Sequence, residues 1–298
     1  MSVSNSASIP SQWQCLLQNV GTWQGSFTQL SPQGEILSDT PTEVELSPYD
    51  NDQAMHQEVR RYPANAPAQI QKLDYRTLNR ATRFFETGAF SQGSIQWGPF
   101  STFGAELGLI AGDRRLRLVQ LFDKANALKS ITLIRERRQN STAGSTAGST
   151  ADSAEVPERP LLTVSELLGT WQGKAVTEYA DLRPRQRSET QLTVEQIGRT
   201  IQQTITPGPA AAPITSTGTI EGQKISFSDG SQPVQVLLLP DGASSTCPSQ
   251  ITPRQPLFLE VGWLLEPQTR QRLIRSYDAS GAWISLTLVT ESKISPSD

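Results

Sequence analysis

The feature that most constrains this chain is a repetition. Gly21-Thr22-Trp23-Gln24-Gly25 recurs unchanged as Gly169-Thr170-Trp171-Gln172-Gly173. Farther along, Arg115 to Glu136 aligns on Arg270 to Glu291 without a gap. Arg115/Arg270, Arg117/Arg272, Leu118/Leu273, Asp123/Asp278, Ser130/Ser285, Thr132/Thr287, Leu133/Leu288 and Glu136/Glu291 are identical pairs, and Phe122/Tyr277 and Ile134/Val289 are conservative ones. Matches at both ends of both halves mean two copies of one unit. Between the copies runs QNSTAGSTAGSTADSAEVPERP, residues 139–160, which buries too little apolar surface to order itself. The expected organisation is a first unit over residues 1–138, a disordered Ser/Thr/Ala/Gly linker over 139–160 and a second unit over 161–298.

The signals inside each copy are β. Thr42–Leu46, Ala54–Tyr62, Leu116–Phe122, Thr190–Val194 and Thr200–Ile205 alternate or run β-branched and apolar over strand lengths. Turn clusters separate them at 31–34, 49–52, 111–113 and 278–281. Helical pattern occurs only before each tryptophan motif, at Gln12–Asn19 and Val164–Leu168. One short helix at the end of many short antiparallel strands predicts a small closed barrel, because closure removes exposed edges.

Composition excludes several function classes. A single histidine, His56, leaves no His-rich metal cluster or His–His relay within one chain, and two cysteines, Cys15 and Cys247, form no CxxC pair. They read as free thiols of a reducing compartment, so no metal and no cofactor are expected and a cytoplasmic location is. The net charge of −3 gives no basic excess for a phosphate backbone, so nucleic acid is not expected as a partner. No stretch reaches the ~18 apolar residues of a membrane helix. Asp50-Asn51-Asp52 lacks the glycine and glutamate of a calcium loop and reads as a turn. No catalytic residue is assigned.

What is duplicated reads as architecture: Trp23, Trp171, Arg115, Arg270 and Arg272 are expected to close the barrels. If Gly112 and Asp113 form a two-residue turn, Gly108 falls opposite Arg117, and Glu106 lies diagonal to it on the same face. What is not duplicated is residues 84–110, holding five of the chain's nine phenylalanines and one of its six tryptophans among interleaved glycines. Rings give contact area at low entropy cost. Phe84, Phe85, Phe90, Trp97, Phe100 and Phe103, with Glu106 and Arg117, are the candidate binding patch or cavity wall. Trp97 and Phe100 are expected to contact a partner without supporting stability. Arg183, Arg185 and Arg187 form a row that could meet an acidic partner.

The helix, Gly-x-Trp first strand and late arginine resemble the calycin superfamily, which includes the lipocalins. In that superfamily the tryptophan closes one barrel end and the arginine packs over it. WQCLLQNVGTWQGSFTQLSPQG, FFETGAFSQGSIQWGPFSTFGAELGLI and RRLRLVQLFD with LTLIRERR resemble a cyanobacterial and chloroplast two-barrel family long filed as a domain of unknown function. The resemblance implies two tandem calycin-like antiparallel barrels, each with a short N-terminal helix. Its chloroplast relatives include a biogenesis factor for the catalytic head of ATP synthase. It therefore implies a non-catalytic assembly factor with a protein partner, the F1 subunits of ATP synthase. The alternative is a lipocalin-like binder or lyase of a hydrophobic small molecule such as a bilin.

Overall fold

The structure is a computed structural model and describes residues 10–139, 158–208 and 212–294. Most of the expected linker lies outside the described residues. The first unit begins with α1 (Gln12–Leu16), extended by a 3₁₀ turn over Leu17–Asn19. Nine strands follow: β1 (Gly21–Leu30), β2 (Ile36–Tyr49), β3 (Ala54–Arg61), β4 (Gln69–Tyr75), β5 (Arg83–Phe84), β6 (Phe90–Gly93), β7 (Phe103–Ala111), β8 (Arg114–Phe122) and β9 (Leu128–Arg138). The second begins with α2 (Val164–Leu167) and continues as β10 (Gly169–Tyr179), β11 (Gln186–Ile197), β12 (Thr200–Thr206), β13 (Ile214–Glu221) and β14 (Lys224–Phe227). It ends with β15 (Val234–Leu238), β16 (Ala243–Pro248), β17 (Leu257–Glu266), β18 (Thr269–Tyr277) and β19 (Trp283–Ile294). All strand pairs are antiparallel. The fold is two tandem barrel-type units, each entered through a short helix.

Both helices start on a capping box, Ser11 with Gln14 and Thr163 with Glu166, which satisfies orphan N–H groups of so short a helix. The GTWQG motif then explains itself position by position. Gly21 and Gly169 turn the chain out of the helix at φ +124° and +108°, conformations that cost a side chain dearly. Gly25 pairs with Glu136 across β1–β9, and a Cβ there would sit 1.8 Å from the Arg135 carbonyl oxygen. Trp23 and Trp171 are fully buried, and each donates its indole N–H at 2.9 Å to the carbonyl four residues earlier, Asn19 or Leu167.

The two sheets differ in closure. The second runs β10 to β19 in order and returns to β10, a closed ten-strand barrel. The first runs β4-β3-β2-β1-β9-β8-β7-β6-β5, and its end strands β4 and β5 do not bond to each other. The expectation of two closed barrels is corrected here: the first is open along one seam. Matched inward from both termini, β6 and β5 correspond to β16 and β15, so β14 has no counterpart in the first unit. Only seven residues, 76–82, connect β4 to β5, too few to form another strand and its turns.

The largest apolar core lies between the units. Along Arg115-Leu116-Arg117-Leu118 the arginines point into the first barrel and the leucines out of it, following the two-residue side-chain period of a strand. Leu107, Leu109, Leu116 and Leu118 on that outer face join Leu259, Val261, Trp263 and Leu273 of the second unit in one cluster. The polar seams of this interface mirror each other. Gln120 of β8 donates to Ser245 Oγ at 2.8 Å. Arg275, its counterpart on β18, donates to the Ala81 and Ser94 carbonyls at 3.1 and 3.2 Å. The turn before β9 bridges Ala127 to Gln250, and the turn before β19 bridges Ala282 to Gln96.

Candidate functional site

Each interior is built around the same four charges. In the first unit the Gly112–Asp113 turn sets Gly108 opposite Arg117, so Arg117 reaches back diagonally to Glu106, Nη1 to Oε1 at 2.6 Å. Its other side grips Glu136, Nη2 to Oε1 at 2.7 Å, and Arg115 Nε holds the second oxygen of that carboxylate at 2.7 Å. The second unit repeats this with Arg272 between Glu260 at 3.3 Å and Glu291 at 2.8 Å, and with Arg270 Nε at 2.7 Å from Glu291. Arg115 lies 4.4 Å and Arg138 4.5 Å from the ring centre of Trp23. Arg270 and Lys293 lie 4.5 and 4.7 Å from that of Trp171. In each unit the first arginine of the pair packs on the tryptophan, and the second, Arg117 or Arg272, bridges the two glutamates.

Burial alone would push the Glu136 carboxyl up, but Arg115 and Arg117 overcome it and hold the group at about 2. Glu291 is lowered by the same contest with Arg272 and Arg270. Burial also works against the Arg117 guanidinium, yet Glu136 and Glu106 raise its pKa. Glu260 goes the other way, because its burial outweighs the attraction of Arg272 and Arg270 and lifts the carboxyl above the usual range.

The interiors differ in free space. The first encloses a cavity of about 290 Å³ and the second one of about 110 Å³. The larger is walled by Leu16, Val44, Leu46, Leu73, Phe84 and Phe90, with Glu106, Gln92, Arg115 and Arg117 forming a polar end. Thr77, Asn79 and Thr82 lie at the open seam. Residues from β2 through β8 face this one space, which is how an open sheet still wraps a cavity. The smaller cavity is narrowed by Ile201, Ile225, Phe227, Val234 and Val236, so β14 supplies two of the apolar groups that fill it.

The structure divides the aromatic segment three ways. Phe84 and Phe90 stack at 5.2 Å and line the cavity with Glu106 and Arg117. Phe85, Trp97 and Phe103 belong instead to the core shared between the units, so they form neither a surface patch nor the wall of this cavity. The reason is the strand period, which turns Phe103 away from the interior that Glu106 faces. Phe100 alone is exposed, at 84%, on a left-handed turn of φ +63°. The expected pairing of Trp97 with Phe100 therefore separates: Trp97 is buried and its backbone N–H donates to the Gly281 carbonyl at 2.8 Å. The Arg183 row turns to its own chain. Arg185 pairs with Glu86 and Glu178, and Arg183 stacks on Tyr179 at 3.7 Å.

Other groups at the cavity carried no sequence signal. Asn19 donates to the Gly88 carbonyl at 3.0 Å, and Tyr75 donates to Gln57 at 3.2 Å while burial raises its phenol to about 12. They sit on one-copy stretches where repetition points to nothing. Glu136 and Glu291, by contrast, were visible as an identical pair whose role only the pairing of β8 with β9 and of β18 with β19 discloses.

Asp50, Asn51 and Asp52 all take left-handed conformations in the β2–β3 turn, which fits their residue types. Both cysteines are free and buried, and burial raises Cys247 to about 12. Among the described residues no group of three or more His, Cys, Asp or Glu is placed to hold a metal, and no helix is long and apolar enough to cross a membrane.

Comparison with known proteins follows the same division into halves. Residues 158–294 match the family model described as the C-terminal domain of Biogenesis factor required for ATP synthase 1. Residues 10–141 match the N-terminal model of the DUF3598 family, a domain of unknown function. No curated protein sequence matches. Among solved structures, a DUF3598-family protein from Nostoc punctiforme is 44% identical with a TM-score of 0.85, the match covering 96% of this chain and all of that one. An S-type phycobiliprotein lyase from Guillardia theta is 11% identical with a TM-score of 0.36, over 45% of this chain and 91% of that one, a likeness too low to argue from. With both halves matched and the Nostoc relative covered from end to end, the chain belongs to the DUF3598 family.

Proposed function

We propose that this protein is a non-catalytic assembly factor that holds a partner protein, the F1 part of ATP synthase, through its paired barrels. The observation that carries this reading is the match of the second unit to a family described by its requirement in ATP synthase biogenesis. The interior chemistry is consistent with it. Glu106, Glu136, Glu260 and Glu291 are each paired with an arginine, an arrangement that fixes the shape of the interiors. Affinity capture on the full-length chain from a native cyanobacterial lysate is expected to enrich the α, β or γ subunit of F1 over a bait-free control. Replicated capture containing none of the three refutes the reading.

A second reading rests on the first unit's cavity. Its volume of about 290 Å³ lies just below the ~300–1,000 Å³ typical of small-molecule sites. Arg115, 3% exposed, and Arg117 bring two guanidinium groups to its polar end. An apolar body with a carbonyl or carboxylate at one end suits that space better than a whole open-chain tetrapyrrole. Titration of purified protein with a medium-chain fatty acid and with a bilin tests this. Saturable binding of the fatty acid that Arg115→Met weakens about tenfold, the factor for one lost charged contact, supports it. No saturable heat with either ligand removes it.

A further inference from the structure

The open seam of the first unit presents a sheet edge whose covering can be read from the second unit. Among the described residues every hydrogen bond and ion pair of β4 goes to β3: Tyr75 to Gln57, Asp74 to His56, Lys72 to Glu58, and the ladder itself. The direction of the remaining backbone groups follows from one bond. Tyr62 N donates to the Pro41 carbonyl at 2.9 Å, toward β2. Backbone groups alternate sides along a strand, so those of Arg60, Glu58 and His56 also point to β2, and those of Arg61, Val59, Gln57 and Met55 point to β4. Their partners Gln69, Gln71, Leu73 and Tyr75 use their ladder bonds inward, which leaves the N–H and C=O of Ile70, Lys72 and Asp74 facing outward.

The opposite edge is treated differently. The Gln12 side-chain amide accepts from Phe84 N at 2.7 Å and donates to the Phe84 carbonyl at 3.0 Å, standing where a neighbouring strand's peptide would be. So β5 is capped from within and β4 is not. An exposed strand edge is a template for another strand, and soluble proteins ordinarily blunt it. Here Ile70 is 57% and Leu73 44% exposed on β4 itself.

In the second unit the same edge, that of β13, is covered by β14, with Ile225 and Phe227 turned into the interior cluster. The charge beside the uncovered edge is basic. Arg76, Arg80 and Arg83 line the groove at the end of β4 with Asp52; Arg76 is paired with Asp50, and Arg80 makes no ion pair among the described residues.

We infer that β4 is a strand-addition site that takes a short extended segment of the partner protein, alternating apolar with acidic residues, in the place β14 occupies in the second unit. The apolar residues enter the seam beside Leu73 and Tyr75, and the acidic ones meet Arg80. Main-chain hydrogen bonds to Ile70, Lys72 and Asp74 supply affinity, and the two kinds of side chain supply selectivity.

This inference rests on the assembly-factor reading, and the test separates the two. Purified F1 is titrated against the full-length chain, Ile70→Pro and Arg80→Glu, with hydrogen exchange followed on the wild type. Proline at position 70 removes one outward N–H and leaves the β3 ladder whole, as proline does on edge strands. The expected result is that F1 binds, Ile70→Pro and Arg80→Glu each weaken binding about tenfold or more, and the amides of Ile70, Lys72 and Asp74 exchange more slowly in the complex. Binding that ignores both substitutions, with those amides unprotected, overturns the strand site and leaves the assembly reading standing. No binding by the wild type sinks the assembly reading, and this inference with it. Dimerisation of the chain alone that Ile70→Pro abolishes assigns the edge to a second copy and overturns the choice of occupant.

Discussion

Glu136→Gln is expected to cost the protein about 3–5 kcal/mol, the range for removing one partner of a buried ion pair. The carboxylate is 4% exposed and is held by Arg115 and Arg117 together, at 2.7 Å each. Glutamine keeps the shape and removes the charge, so two buried guanidinium groups are left with Glu106 as their remaining anion. Urea denaturation of variant and wild type measures the loss. The same residue sets a pH dependence. Its carboxyl is lowered to about 2 when folded, below the ordinary glutamate value of ~4.3, so its contribution is complete above that value and disappears as pH falls toward 2. The displacement corresponds to about 3 kcal/mol at most. Acid titration of stability is therefore expected to be shallower in Glu136→Gln. A variant as stable as wild type at pH 7 would show that this cluster is incidental to the fold.

Arg275→Ala is expected to cost about 2–5 kcal/mol, the range for truncating a large buried side chain, and to act on the joint between the units. Arg275 is fully buried, lies 4.0 Å from the ring centre of Trp283 and donates to Tyr277, Ser91 and the Ala81 and Ser94 carbonyls. Alanine orphans those acceptors and opens a cavity beside the shared core. Because Leu107 and Leu118 share that core with Leu259 and Leu273, the wild type should unfold in a single transition. The variant should show an earlier or split transition in differential scanning calorimetry. Independent melting of two units in the wild type would contradict the single core.

Much of the scaffold was legible because the sequence states it twice. Trp23 and Trp171, Arg115 and Arg270, Glu136 and Glu291 recur at matching places, and a residue that architecture demands is demanded in both copies. The Glu106–Arg117 contact was also legible, since a two-residue turn at Gly112–Asp113 leaves one register and the pleat then fixes the diagonal. The aromatic segment was legible in composition and not in direction. Phe84 and Phe90 reach the cavity whereas Phe103 and Trp97 reach the other unit. Each faces according to the side of its strand that meets the second copy, and the strand itself does not record where that copy lies.

Local chemistry thus settled the units: their helix-to-tryptophan entrance, their antiparallel strands and their paired charges all follow from short-range pattern and from duplication. Tertiary structure decided three further things: that the richest apolar surface is shared between the units, that one interior is roomier than the other, and that one barrel closes while its sibling keeps a free edge. These depend on whether segments far apart in the chain meet. A seven-residue connection from β4 to β5, in place of the stretch that forms β14, changes closure without disturbing any motif.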